Sequence, residues 1–461
     1  MQQAAVATSA PVEKNNSRIT NGWAMYDWAN SVYPLVITST IFPIYYGSVA
    51  VNERGQDMVN FLGFNLPGSS LYTYAISASF LIIAGLSPIL TAIADFSGRK
   101  KLFLRFFCFL GAASCAGLFF FTKETFGLSV LLLMSATIGW AGSIVFYNSY
   151  LPLIATEDQY DRLSAKGFSL GYVGSVILLV LSLVIVLKPD LVGIDPANKA
   201  LPPRISFLFT GLWWAIFGQF ALSRLPADTG RPDHMPAAQG NFLLNGFHEL
   251  SNVWQQIKQL PMLKRFLLAY FTYNMGVQTV MYVATVFGDK VLKLESQALI
   301  ITILLLQVVA ILGAYLFARL SEAIGNTRAL SWSVAVWALI CVAGYFVQAG
   351  WSFYALASVI GLTMGGVQSL SRSTYSKIIP ENTPDTASYF SFFDVTEKLS
   401  IVIGTAVFGI ISQITGDMRN SILALIVFFI LGLIFLFRMR GQNLRPDAAT
   451  AEETPIRQAA L

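Results

Sequence analysis

Histidine, cysteine and charge are all scarce in this chain, and each scarcity removes a class of function. Only 2 histidines and 3 cysteines occur in 461 residues. Cys108 and Cys115 share one apolar run, and Cys341 lies in another. A helix would place the first two roughly 10.5 Å apart along its axis, too far for a disulfide. No CxxC pair is present, and His234 and His248 fall together in a polar stretch. No metal site is expected from such a set. Charged residues make up 12% of the chain, against about 25% in a soluble domain, which excludes an ordinary soluble enzyme. The net charge of +5 comes without a basic stripe interleaved with aromatics, so nucleic acid is not an expected partner. No Walker-type phosphate loop occurs, which argues against direct drive by ATP, and no cofactor is expected. Residues 1–20 are polar and contain no signal-peptide core.

Apolar residues supply 55% of the chain and its mean hydropathy is +0.61. They cluster in helix-length runs near 24–46, 71–93, 102–121, 128–150, 168–188 and 205–223, and again near 266–287, 298–319, 329–348, 353–373, 389–412 and 421–438. Each is long enough to cross a hydrocarbon core of roughly 30 Å. The expected fold is an all-α integral membrane protein of 12 transmembrane helices, here spans 1 to 12, in two pseudo-symmetric six-helix bundles. The domains expected are an N-terminal tail (1–22), a first bundle (23–224), a linker (225–264), a second bundle (265–438) and a C-terminal tail (439–461). Within the linker, Leu243, Phe247, Leu250, Trp254 and Ile257 recur at steps of three and four. They predict an amphipathic helix that either lies on the membrane or packs on the bundle.

An even number of spans puts both termini on one face. Of the 30 lysines and arginines, 21 lie in the termini and the loops on that face and 8 in the opposite loops; Lys398 belongs to neither set. The positive-inside rule therefore predicts cytoplasmic termini.

Between spans 2 and 3 the chain reads Asp95-Phe96-Ser97-Gly98-Arg99-Lys100. Between spans 8 and 9, 227 positions later, it reads Glu322-Ala323-Ile324-Gly325-Asn326-Thr327-Arg328. An acid, a glycine three residues on and a cation soon after recur at the same place in each half. The glycine permits the chain reversal, and the cations hold the turn at the cytoplasmic surface. Asp95, Gly98, Arg99, Lys100, Glu322, Gly325 and Arg328 are thus the candidate cytoplasmic gate. Asp95 is expected at the N-terminus of span 11, near Ala387 to Tyr389, where the helix dipole favours a carboxylate, with Arg99 holding the turn.

Polar side chains recur every third span. Span 1 carries Asp27 and Asn30, span 4 Tyr147 and Asn148, span 7 Asn274 and Gln278, and span 10 Gln368 and Arg372. Spans 3, 6, 9 and 12 are nearly free of such groups. Polar groups at membrane depth face the bundle interior or water, so spans 1, 4, 7 and 10 are expected to line a path and the other set to face lipid. Pro34 and Pro43 predict kinks in span 1. Asp27 serves either the path, as a proton or amine site, or an inter-helix hydrogen bond. Asp394, Glu397 and Lys398 share one face of span 11. They form either an ion-pair latch between the halves or a site in which Lys398 takes a substrate carboxylate and an acid takes a proton.

Six plus six spans, a long connector and the core Asp-x-x-Gly-Arg-Lys at Asp95–Lys100 resemble the major facilitator superfamily. The superfamily's loop glycine before the acid is Thr91 here, and the arginine after it is Phe96. Tyr26-Asp27-Trp28-Ala29-Asn30-Ser31, Phe146-Tyr147-Asn148-Ser149-Tyr150-Leu151-Pro152 and the run Gly365–Ser373 are similar to its Atg22-like, or UMF1, branch. That resemblance implies a secondary transporter of a small solute, amino acids among the candidates, working by alternating access, with proton coupling left open. Membrane lipids and a small-molecule substrate are the expected partners, the carrier is expected to be monomeric, and the short loops fit a bacterial inner membrane. A lipid or amphiphile flippase on the same scaffold is the alternative; an intramembrane enzyme would need a nucleophile with a base or clustered ligands, and neither is visible.

Overall fold

The computed structural model describes residues 13–439 apart from 53, 229–241, 349 and 382, without the side chains of 242–249 and 296. The tails up to 12 and from 440, linker residues 229–241, and the side chains of Leu243 and Phe247 lie outside the described residues. In lipid each backbone N–H and C=O needs an internal partner, so apolar runs of this length fold as helices. Among the described residues, eleven helices are long and apolar enough to cross a membrane: Ser17–Val49, Gly68–Ser97, Lys100–Phe120, Phe126–Ile154, Glu157–Leu187, Leu201–Arg224, Gln297–Ile324, Asn326–Phe346, Gly350–Ile378, Thr386–Thr415 and Met418–Phe437. The twelfth, span 7, is the 30-residue helix Pro261–Lys290. It is less apolar because it carries Tyr273, Asn274, Gln278 and Thr279, all of which are turned inward and buried. The chain is a multi-pass integral membrane protein of twelve spans.

Helix contacts repeat with a period of six. Spans 1–5, 1–6, 2–4, 3–4 and 3–6 pack together, and so do 7–11, 7–12, 8–10, 9–10 and 9–12. Contacts between the halves obey the same rule: spans 2–11 match 8–5, and 4–11 match 10–5. One hydrophobic core is drawn from residues 23–225 with Ala387 added. A second is drawn from 253–439 with Val145 and Tyr172 added. Spans 3, 6, 9 and 12 show the outside large apolar groups such as Phe106, Ile216, Leu339 and Val427.

Small residues set the closest approaches. A Cβ on Gly365 would lie 2.1 Å from the Ala310 carbonyl, and one on Gly313 2.0 Å from that of Leu362, so spans 8 and 10 touch backbone to backbone. Where span 5 crosses span 8, Ala165, Ala314 and Ala318 form a separate buried patch between the halves.

Span 1 is irregular, as its prolines predict. It runs as Ser17–Asn30, a π-helical turn Tyr33–Thr38 and Ile41–Val49. Carbonyls in the irregular part are taken by side chains: Thr38 donates to Pro34 at 2.7 Å, Thr40 to Leu35 at 2.7 Å, and Tyr72 to Thr38 at 2.9 Å. The linker helix Phe242–Gln259 packs on the bundle. Val253 and Ile257 are buried, Trp254 stacks on Phe392 with centroids 5.5 Å apart, and Gln256 accepts from Tyr389 at 2.7 Å.

The glycine contacts make a direct prediction. Gly365→Val should lower stability by roughly 1–3 kcal/mol through overpacking and depress the thermal midpoint of the purified protein. Gly409→Ala, in open space within its helix, should not lower that midpoint in the same melting assay and should raise it slightly.

Candidate functional site

The most deeply buried charges lie between the two halves. Trp23 and Asp27 are one turn apart on span 1 and share a face. Ser164 and Phe168 have the same spacing on span 5, and Gly167 between them leaves room. A Cβ there would sit 2.5 Å from an Asp27 carboxylate oxygen and 3.0 Å from an Arg372 nitrogen. Into this space Arg372 extends from span 10, roughly 9 Å from that helix's end at 1.5 Å per residue. Its Nη1 meets Asp27 Oδ2 at 3.1 Å, and both residues are buried. The same oxygen accepts from Tyr147 Oη at 2.8 Å. Arg372 further donates to the Ser164 hydroxyl (2.9 Å), the Ser164 carbonyl (2.8 Å) and Asn148 Oδ1 (3.3 Å). Its guanidinium lies over Phe168 at 4.2 Å, Trp23 at 4.7 Å and Tyr147 at 5.4 Å. Ser164 also donates to the Ser369 carbonyl of the other half at 2.8 Å. Asp27 therefore does not stand free in a path here; its partner is Arg372.

A second group sits deeper, on span 11. Asp394 and Lys398 lie roughly 12 and 18 Å along the helix from Thr386. They pair with each other at 2.5 Å and are both buried. The pair is within one helix, so it is not a latch between halves. The Lys398 ammonium instead faces aromatic rings of the first half, Trp140 at 5.8 Å and Phe80 at 6.0 Å. Two buried atoms around it lack hydrogen-bond partners among the described residues: the acceptor Asp394 Oδ2 and the donor Trp140 Nε1. Glu397 accepts from Gln278 at 3.3 Å, Asn274 donates to Ser400 at 2.6 Å, and Tyr172 donates to Gln368 at 2.6 Å. Asn30 is buried, and its amide nitrogen has no hydrogen-bond partner among the described residues.

Two latches close the face at which span 1 begins and span 12 ends, the terminal face. Asp95 accepts from the backbone of Ala387 (3.3 Å) and from the backbone and hydroxyl of Ser388 (both 2.7 Å), at the N-terminus of span 11. Gly98, at φ +63°, makes the turn. Arg99 does not hold that turn: it is exposed. Lys100 does, bonding Asp95 at 2.8 Å, the Pro384 carbonyl at 2.9 Å and Thr386 at 2.6 Å. The next residue along the helix points across the interface, while Arg99 points away.

The second turn also differs from the sequence reading. Gly325 has φ +88°, but Glu322 and Arg328 are both exposed. The acid of this latch belongs to the receiving helix: Asp161, in the first turn of span 5. It accepts from Asn326 at 2.7 Å, Ser321 at 3.0 Å and Lys377 at 2.7 Å. In both latches a carboxylate thus ends at a helix N-terminus, where the backbone dipole favours it.

Residues 15–449 match the family model described as vacuole effluxer Atg22 like. The chain belongs to this Atg22-like family. The uncharacterized MFS-type transporter YxiO of Bacillus subtilis is 31% identical over 424 residues, covering 92% of this chain and 95% of that protein. Autophagy-related protein 22 of Pyricularia oryzae is 23% identical over 504 residues, covering 87% of this chain and 73% of its own. Among solved structures, the major facilitator transporter FucP in its outward conformation superposes with a TM-score of 0.67 at 16% identity, over 92% of this chain and 98% of its own. The fold is that of the major facilitator superfamily, and the family is one of transporters, not enzymes.

Sequence reasoning named Asp27 and Arg372 without pairing them, although two opposite charges at one depth in spans 1 and 10 could have joined them. It missed Trp23, Asp161, Ser164, Phe168 and Lys377. Of these Asp161 and Lys377 carry a readable signal, since each is a charge at a span end. The latch assignment is checked by hydrogen exchange. Lys100→Ala should speed exchange of the Ala387 and Ser388 amides roughly tenfold, about 1.4 kcal/mol of lost protection. Arg99→Ala should leave those amides at the wild-type rate.

Proposed function

We propose that the chain is a secondary transporter of a small zwitterion of the amino-acid class, working by alternating access. The observation that carries this reading is the surroundings of Lys398. Among the described residues, the buried pair has one oxygen without a hydrogen-bond partner, Asp394 Oδ2, and lies beside a donor without one, Trp140 Nε1. A zwitterion fits both. Its carboxylate would take the Lys398 ammonium and the indole N–H, and its amine would take Asp394 with Glu397 alongside. The bound solute would then replace the internal pair without leaving either charge bare, which burial would penalise by several kcal/mol. The group draws on both halves, with Trp140 and Phe80 from the first and span 11 from the second.

The twofold set of latches supports alternating access. They join the halves at the terminal face, and the excess of Lys and Arg there supports a cytoplasmic position for that face. On this reading the described state is closed to the cytoplasm. The bacterial relative supports a plasma-membrane carrier, and the Lys and Arg excess supports cytoplasmic termini. Glu397, half-buried beside Gln278, is the group we assign to a coupling proton, and a single chain contains the whole site.

The test uses purified protein in liposomes, with a panel of radiolabelled amino acids and a headgroup-labelled phospholipid. Lys398→Ala, which strands the buried Asp394 and so should lower the ligand-free thermal midpoint, should weaken amino-acid binding at least tenfold in the protein that stays folded. Trp140→Phe, which keeps the ring and deletes the N–H, should weaken it several-fold. Unchanged affinity in Lys398→Ala removes the zwitterion site, and selective movement of the phospholipid would replace it with the amphiphile reading.

A further inference from the structure

The first half carries a complete receptor for an organic cation, and in the described state the second half's own arginine fills it. Trp23 and Asp27 from span 1, Tyr147 and Asn148 from span 4, and Ser164 and Phe168 from span 5 all surround the Arg372 guanidinium. The chemistry is that of an amine or guanidine site. One carboxylate supplies the countercharge at 3.1 Å, a serine hydroxyl and a carbonyl accept N–H groups at 2.9 and 2.8 Å, and three aromatic faces lie within 5.4 Å of the cation. Aromatic cages of this kind recognise cations when desolvated. The cage is also preformed. Trp23 stacks on Tyr147 with centroids 4.5 Å apart and donates its indole N–H to the Tyr147 carbonyl at 2.9 Å. Neither contact involves Arg372.

We propose that this cage is the cytoplasm-side entry site for the ammonium or guanidinium group of the substrate, which competes with Arg372 for Asp27. The inference rests on the alternating-access reading in one respect: the halves must part at the cytoplasmic face, where Arg372 leaves with span 10. A cage without its plug exposes a carboxylate among aromatic rings, and a solute cation from the cytoplasm supplies the missing charge. Occupancy by that cation blocks the return of Arg372 and holds the cytoplasmic face open. A neutral solute of the same shape does neither.

The experiment uses the full chain in nanodiscs with agmatine as the cationic probe and N-ethylurea as a neutral planar control. Titration calorimetry on Arg372→Gln, which withdraws the plug and keeps the cage, should show agmatine binding at least tenfold tighter than to wild type. Asp27→Asn added to that variant should abolish the binding, and N-ethylurea should bind neither. Equal agmatine affinity in wild type and Arg372→Gln, or retained affinity in the double variant, overturns the cage. These measurements require no transport, so they stand apart from the test of the Lys398 site.

If Arg372→Gln does not fold, a protein with Arg372 intact carries the test. Ala318→Cys places a thiol in the alanine patch between spans 5 and 8; the native Cys108, Cys115 and Cys341 are all buried. Agmatine should raise the rate of its alkylation by a membrane-impermeant maleimide several-fold, and N-ethylurea should not. An agmatine-independent rate overturns competition with Arg372.

Discussion

The Asp27–Arg372 pair is the contact on which the rest of the arrangement depends. A carboxylate and a guanidinium buried this far from water are tolerable only together, and removing one partner costs about 3–5 kcal/mol because the other remains unpaired. The two charges belong to different halves of the molecule, so the pair exists only while those halves touch. Much of the local sequence serves this one meeting. Gly167 gives the room, Ser164 supplies two acceptors, Tyr147 shares the carboxylate, and three rings cover the cation. A helix interface made of leucines would have held the halves more simply. A buried ion pair holds them in one register and loses that hold when they separate.

The latches at the terminal face show how a duplicated fold departs from duplication. The backbone obeys the sixfold step closely, with spans 2 and 11 meeting as spans 8 and 5 do. The side chains do not. In one latch the turn supplies the acid and the helix supplies donors; in the other the helix supplies the acid and the turn supplies donors. What both copies keep is a carboxylate at a helix N-terminus, because the dipole there is a property of the backbone and survives exchange of the residues around it.

That distinction explains how far the sequence could be read. Span number, the two-bundle pattern, the irregular first helix and the position of Asp95 against Ala387 and Ser388 follow from hydropathy, proline and the helix dipole, and all are visible in one dimension. The choice of Lys100 over Arg99 depends on a single 100° step along a helix whose start was known only to within a few residues. The exposure of Glu322 and Arg328 could not be read, because the echo of Asp95 in the second half is one of residue types and not of contacts. Trp23 and Phe168 look like any other aromatic in an apolar helix. Only the folded chain shows that both rings lie against the same cation. The linker helix is a middle case: its periodicity was plain, while its docking on Phe392 and Tyr389 needed the partner surface.

The alanine patch where spans 5 and 8 cross, Ala165 against Ala314 and Ala318, has a mechanical consequence. Helices that pack by interlocking long side chains must lift ridges out of grooves before they can turn against each other. Methyl groups present almost no ridge. A crossing lined with them behaves as a smooth bearing, on which one half can tilt and part from the other without disengaging ridges. The polar latches then act as detents: they fix the angle of a joint that, at this crossing, has little resistance of its own.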